Sequence, residues 1–254
     1  MDSGVCMMID RVDILGTRIS ATNLDECLEM LQSKKAEIRG QYICAANVHT
    51  TVYAKEHPAY QKIQNNSLMT LPDGKPLSIV GRKKGFPHME RITGPDFMEA
   101  VLSVSEKNQW SHYFYGNTSE NIQLLCANIK TKYPNLKIVG CEPSVYRPLT
   151  EEEEKALIHR INAAAPDFVW VGLGAPIQEQ FCAKLACETK SLWIGVGGAF
   201  NIIAGVIPRA PEWMQRCCLE WLYRLLKEPR RLFKRYLISN SKFVWYLVNE
   251  KRSQ

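Results

Sequence analysis

The 254-residue sequence predicts an α/β fold built on a mainly parallel sheet. Short apolar runs alternate with longer, helix-patterned stretches along most of the chain. Runs such as "QYICAAN" and "DFVWVGLG" are apolar nearly throughout, which suits strands covered on both faces. Two-residue hairpin signals are almost absent, so the strands need crossover connections.

The elements follow in order. "RVDILGTRI" has strand character, and "TNLDECLEMLQSK" is a helix with Thr22 as N-cap and Asp25 three residues later. "QYICAAN" is a second strand, followed by helices around "TTVYAKEH" and "PAYQKIQNN". "SLMTL" is a strand leading into "LPDGKP". "GPDFMEAVLSVSEKN" is a helix with Pro95 at its first position. "HYFYG" is a strand, "SENIQLLCANIKTKYP" a helix and "LKIVGCEP" a strand. "TEEEEKALIHRINAAAP" is a helix capped by Thr150, with Glu153 completing a capping box. "DFVWVGLG", "PIQEQFCAKLACET" and "LWIGVGGAF" complete the alternation. The stretch "GVIPRAP" has two prolines and no periodicity, so a boundary is expected there: a core over 1–205 and an appendage over 206–254.

Composition narrows the class. A hydrophobic content of 46% supports a real core. No run of about 18 uncharged apolar residues occurs, so no spanning helix is expected. Asp10 and Arg11 interrupt the N-terminus too early for a signal peptide, which points to the cytoplasm. The nine cysteines form no C-x-x-C pair and have no histidine at ligand spacing, so reduced, mostly buried thiols are expected rather than a metal cage. The net charge of +6 is uneven. From 206 to 254 there are seven Arg and four Lys against four Glu, or +7, and the rest of the chain is −1. A basic tail points to an anionic partner, nucleic acid or a membrane surface.

Ligands of open α/β sheets bind beyond the carboxyl ends of the strands. Three loops belong there: "AANVHTT", "LPDGKP" and "VGLGAPIQEQ". The last begins G-x-G but has Ile177 where a dinucleotide fingerprint needs a third glycine, and no ribose-binding acid follows about 20 residues on. It suits a loop that approaches a phosphate or a sugar.

Seven stretches in order carry a resemblance: "ANVHT", "LPDGKPL", "ERITGPDF", "VGLGAPIQE", "GVGGAFNIIAG", "RAPEWMQ" and "LEWLYRLLKEPRRLFKRY". Together they resemble the WecG/TagA/CpsF family of bacterial glycosyltransferases over about residues 10 to 240. The resemblance implies a Rossmann-like core and a C-terminal appendage that meets the membrane. It also implies transfer of a sugar from a UDP-sugar to a polyprenyl-diphosphate-linked sugar at the cytoplasmic membrane face, for wall teichoic acid, common antigen or other surface polysaccharide.

An inverting transfer needs a base for the acceptor hydroxyl. Asp73 matches the aspartate that the family gives this role; Pro-Asp-Gly is also a good turn, and a turn can aim a side chain into a cleft. The chain has no Asp-x-Asp, so no metal or other cofactor is expected, and the leaving diphosphate would meet helix N-termini and arginine. The family motif supports Arg91 for this; by itself Arg91 also reads as a surface arginine before a helix. Asn47 could orient a sugar hydroxyl or the catalytic carboxylate, or cap the following helix. The family often has Thr two positions earlier, where this chain has Ala45, so no hydroxyl contact carries over. Gln178 resembles a glutamine that faces the family's active site; as a first-turn residue it could also point to water. Gly195, Gly197 and Gly198 suit close approach of a diphosphate or nucleobase, or simply a tight turn. None of the five histidines is assigned a catalytic role.

The tail carries two stripes at near-helical spacing. One is Trp213, Cys217, Trp221 and Leu225; the other is Arg216, Glu220, Arg224 and Lys227, with Arg216–Glu220 and Glu220–Arg224 as i,i+4 pairs and Pro229 as a break. Cations interleaved with aromatics suit an anionic bilayer surface, and part of such a helix packs on the core. Arg216, Arg224, Arg230, Arg231 and Arg235 are the candidates for the membrane or the lipid diphosphate. The tail is too apolar for a nucleic-acid module, and the missing glycine and ribose acid argue against a nicotinamide oxidoreductase. A non-enzymatic membrane scaffold would leave Asp73 without a role. An exposed apolar tail would favour self-association as a homo-oligomer.

Overall fold

The computed structural model describes residues 9–34 and 36–252, without the side chains of Arg231, Lys251 and Arg252. In chain order the elements are β1 (Arg11–Ile14), β2 (Thr17–Ser20), α1 (Leu24–Ser33), β3 (Tyr42–Ala46), α2 (Val48–Glu56), α3 (Pro58–Asn66), β4 (Met69–Pro72) and α4 (Lys75–Lys83). Then come α5 (Gly94–Asn108), β5 (Ser111–Gly116), α6 (Ser119–Lys132), β6 (Lys137–Glu142), α7 (Glu151–Ala164), β7 (Phe168–Gly172), α8 (Ile177–Leu185), β8 (Leu192–Gly195) and α9 (Ala199–Ile203). The tail forms α10 (Glu212–Arg216), α11 (Glu220–Lys227) and α12 (Pro229–Arg252).

Six strands form one sheet in the order β4-β3-β8-β7-β5-β6, and every pairing is parallel. The expected α/β architecture is present. Alternate side chains of β7 show why its strands are apolar throughout. Phe168 and Trp170 enter the core on one face, with Phe97, Phe114 and Phe200. Val169 and Val171 enter the core on the other, with Leu157, Leu185 and Trp193. A third cluster joins β1 and β2 to α2, α4 and Phe243 of α12. The appendage is therefore packed along α2, with Leu232 and Phe243 buried.

Four local expectations are corrected. "RVDILGTRI" is a hairpin, β1 paired antiparallel with β2, rather than one strand. Its two-residue turn, Leu15–Gly16, has both residues at positive φ, 57° and 84°. That is a primed hairpin turn, and leucine in it hides the signal that Asn-Gly would give. The N-cap of α1 is Asn23, whose side chain accepts from Glu26 N; Thr22 instead donates to the Glu26 carboxylate. The tail stripe is interrupted between α10 and α11, where Cys218 has φ 59°. Arg216 therefore pairs back with Glu212 at 3.4 Å, and Glu220 leaves both expected partners. Finally, Cys126 of α6 and Cys141 of β6 are joined as a disulfide, against the expectation of reduced thiols throughout. Cys27, Cys44 and Cys182 are free and buried, whereas Cys187 and Cys217 are exposed; Cys6 lies outside the described residues.

Candidate active site

Four neighbouring strands, β4, β3, β8 and β7, end side by side, and each hands the chain to a loop singled out above. β4 ends at Pro72, so Asp73 stands at its carboxyl end. The backbone of Asp73 is held in place. Its N–H donates to Ala46 O at 2.8 Å and Leu71 O at 3.0 Å, tying the turn to β3, and Gly74 caps α4 without a side chain. The side chain remains partly open to solvent.

Asn47 does two jobs at once. Its side-chain oxygen accepts from Thr50 N at 3.1 Å, closing a capping box on α2. Asn47 also lies against the turn after β4, its Cβ 3.5 Å from where a side chain on Gly74 would begin. Arg91 donates from Nε to Asp73 O at 3.1 Å and pairs through its guanidinium with Glu220 of α11. Glu220 also faces Arg209 Nε at 3.6 Å, and Arg209 pairs in turn with Asp96, in the first turn of α5. Arg224 of α11 is exposed on the same side of the sheet, with its guanidinium 3.5 Å from where a side chain on Gly198 would begin. Burial raises the Asp73 pKa above the ordinary aspartate value; Arg91, Arg224 and the Asn47 amide pull it back, and Glu220 pushes it up. Asp73 is thus a carboxyl whose basicity is set by groups from the core and the appendage together.

Gln178 does not point to water: only 4% of its surface is exposed. Its Oε1 accepts from Gly174 N at 3.0 Å and its Nε2 donates to Glu179 at 2.9 Å. The glycines of the β8 loop are explained in part by this residue. A Cβ on Gly195 would meet Gln178 Cγ at 3.0 Å, and one on Gly197, which has φ +50°, would meet Gln178 Oε1 at 3.0 Å. The close approach at those two glycines is made by the chain's own glutamine.

The tail arginines divide. Arg224 alone is placed among the Asp73 groups. Arg235 lies on α12 over the Tyr236 ring and near His49 of α2, whose imidazole pKa is lowered by burial and then by this cation. Arg216 and Arg230 face solvent, and the Arg231 side chain lies outside the described residues.

A family model for glycosyl transferases of the WecG/TagA/CpsF type matches residues 12–254. The chain belongs to this family. Among relatives of this glycosyltransferase, one from Bacillus spizizenii is 30% identical over 85% of this chain and 81% of the relative. One from Bacillus subtilis is 30% identical over 92% and 89%, and one from Staphylococcus aureus is 27% identical over 95% and 94%. All three are named N-acetylglucosaminyldiphosphoundecaprenol N-acetyl-beta-D-mannosaminyltransferase.

Sequence reasoning missed three residues: Arg209 and Glu220, which form the ion-pair network with Arg91, and Glu179, buried against Gln178. Arg209 sits in the quoted "RAPEWMQ", beside two prolines, where a cation has few local partners. By spacing Glu220 is an i,i+4 partner of Arg216 and Arg224, and nothing in the sequence around Glu179 sets it apart from other acids in a helix's first turn. A polar cluster also lies farther along the same edge of the sheet. There Asn117, after β5, meets Asn201 of α9, with Asn121 and the Tyr146 hydroxyl close by. Among the described residues, no three His, Cys, Asp or Glu side chains are grouped to hold a metal ion, and no helix is long and apolar enough to cross a membrane.

Proposed function

We propose that this glycosyltransferase moves N-acetylmannosamine, or a related hexose or uronic acid, from a UDP-sugar to a polyprenyl-diphosphate-linked sugar. Transfer proceeds with inversion and without a metal, at the cytoplasmic face of the membrane, in cell-wall or surface polysaccharide synthesis. One arrangement supports the reading: Asp73 stands at the carboxyl end of β4, with Arg91 bonded to its backbone carbonyl and Arg224 reaching Gly198 from the appendage. A base and two cations at one cleft are what the reaction needs. The acceptor hydroxyl gives its proton to Asp73 as its oxygen attacks the anomeric carbon. The bond from that carbon to the UDP oxygen breaks, and its electron pair leaves on the diphosphate, where fixed guanidinium charge stabilises it.

The relatives' printed name supports the acceptor class and the β product. A β product from an α-linked nucleotide sugar is inversion. The metal-free reading rests on the absence of Asp-x-Asp and on these arginines. The tail supports the membrane reading. Ten of the sixteen exposed large apolar side chains among the described residues lie beyond residue 205, including Trp221, Phe233 and Trp245. Exposed apolar groups beside cations suit an anionic bilayer surface.

The test is transfer from UDP-N-acetylmannosamine to lipid-diphosphate-linked N-acetylglucosamine in excess EDTA, with the product's anomeric linkage read by NMR. A β-linked product is expected. Failure with every UDP-sugar offered would sink the reading. Activity lost in EDTA and restored by Mg²⁺ or Mn²⁺ would sink its metal-free part.

A further inference from the structure

Glu179 is a carboxyl for which the proposed reaction has no use. It occupies the first turn of α8, yet none of its surface reaches solvent. Acids in that position commonly face water, where the helix N-terminus favours their charge. This one turns inward, and a buried carboxylate is costly unless it is well bonded. Its Oε1 accepts from Gln178 Nε2 at 2.9 Å, while its Oε2 is buried without a hydrogen bond. The Tyr60 hydroxyl of α3, the Cys44 thiol of β3 and the Cys182 thiol of α8 face it. β7 and β8, which also pack on α8, contribute no titratable side chain.

What this carboxyl does is choose an orientation. A glutamine amide has a donor end and an acceptor end. With an acceptor at Glu179 on one side and the Gly174 N–H donor on the other, only one orientation of Gln178 satisfies both. In that orientation Gln178 is wedged between the loop after β7, at Gly174, and the end of β8 with its loop, at Gly195 and Gly197. Both loops lie at the carboxyl ends of adjacent strands, where a phosphate-bearing ligand of this fold binds.

We propose that Glu179 is a positioning residue. By holding the Gln178 amide it clamps the two loops together and thereby sets the affinity for the diphosphate of the donor. The affinity half of this rests on the UDP-sugar reading; the clamp half does not. Burial raises the Glu179 pKa to about 7, so the clamp has its stronger, ionised acceptor above that pH. Below it the acceptor is a neutral carboxyl, and its hydrogen bond from Gln178 Nε2 is weaker.

The test uses the full chain and two variants. Glu179→Leu removes the acceptor; Glu179→Gln keeps an acceptor oxygen and abolishes the titration. Hydrogen exchange across 172–178 is measured at pH 6 and pH 8, and UDP is titrated at both. Glu179→Leu should speed exchange and weaken UDP binding by about tenfold, the effect of losing one good hydrogen bond. The parent should lose protection and UDP affinity from pH 8 to pH 6 by more than Glu179→Gln does. Titration of UDP itself is common to both proteins and cancels in that comparison. Parent-like exchange in Glu179→Leu would overturn the clamp, and so would identical pH profiles for the parent and Glu179→Gln. Should Glu179→Leu fail to fold, the second comparison still decides. A parent that binds no UDP would defeat the donor reading and the affinity half with it, while the exchange measurement, which needs no ligand, would decide the clamp.

Discussion

The carboxylate of Glu220 is bound by the guanidinium of Arg91, 129 residues earlier in the chain. Both side chains are largely shielded, at 18% and 13% exposed. The pair joins the appendage to the core beside Asp73, and Arg209 extends it to Asp96. Because Glu220 and Arg224 both act on Asp73, the seating of α11 and the basicity of the candidate base are linked.

That linkage predicts opposite shifts from opposite charges. Glu220 raises the Asp73 pKa and Arg224 lowers it. Turnover needs the ionised base, so activity falls as pH drops through the Asp73 pKa. Glu220→Gln should move this acid limb to lower pH, and Arg224→Gln should move it to higher pH. The pH dependence of kcat measures both, and two shifts of the same sign would refute the linkage.

Asp73→Asn removes the proton acceptor while keeping the shape of the turn. The backbone bonds from Asp73 N to Ala46 O and Leu71 O do not involve the side chain. A general base contributes roughly 10²–10⁴ in rate, so kcat should fall by about that factor. UDP affinity and Tm should change little. A variant within about threefold of the parent in single-turnover rate would make Asp73 a turn residue only.

The sheet was legible because a strand covered on both faces must be apolar at every position, as β7 is. The Asp73 turn was legible because Pro and Gly flank it in a recognisable motif. The hairpin was not, because Leu15 occupies a turn position that glycine or asparagine ordinarily fills. The Arg91–Glu220 pair was not, because a local reading gives a helix glutamate its neighbours at i±4. The break at Cys218 separates Glu220 from Arg216, and Arg224, in the same helix, reaches toward Gly198 instead. Glu179 was hidden for a third reason: the direction of a side chain in the first turn of a helix depends on what the helix packs against.

The tail's outward face predicts a separable membrane function. Phe233 and Trp245 are 60% and 61% exposed, whereas Leu232 and Phe243 hold α12 to the core. Replacing Phe233 and Trp245 together by glutamate should abolish sedimentation with phosphatidylglycerol vesicles and leave Tm within about 2 °C, as surface substitutions usually do. Raising salt should weaken binding of the parent, because surface attraction is screened over about 8 Å at physiological ionic strength. Full vesicle binding by the double variant would remove the membrane role from this face.

The buried Glu179 also predicts how stability depends on pH. Its pKa is raised from the ordinary 4.5 to about 7 by burial. Between those values the unfolded chain has released a proton that the folded chain keeps. The unfolded state then binds fewer protons, so stability falls as pH rises through this window. Below pH 4.5 the cost is absent; above about 7 it is complete. At 1.36 kcal/mol per unit, the full cost is on the order of 3 kcal/mol. Glu179→Gln has no proton to release, so its Tm should gain on the parent's by several degrees between pH 5 and pH 8. Parallel Tm curves for the two proteins across that range would mean that Glu179 titrates as an ordinary surface acid.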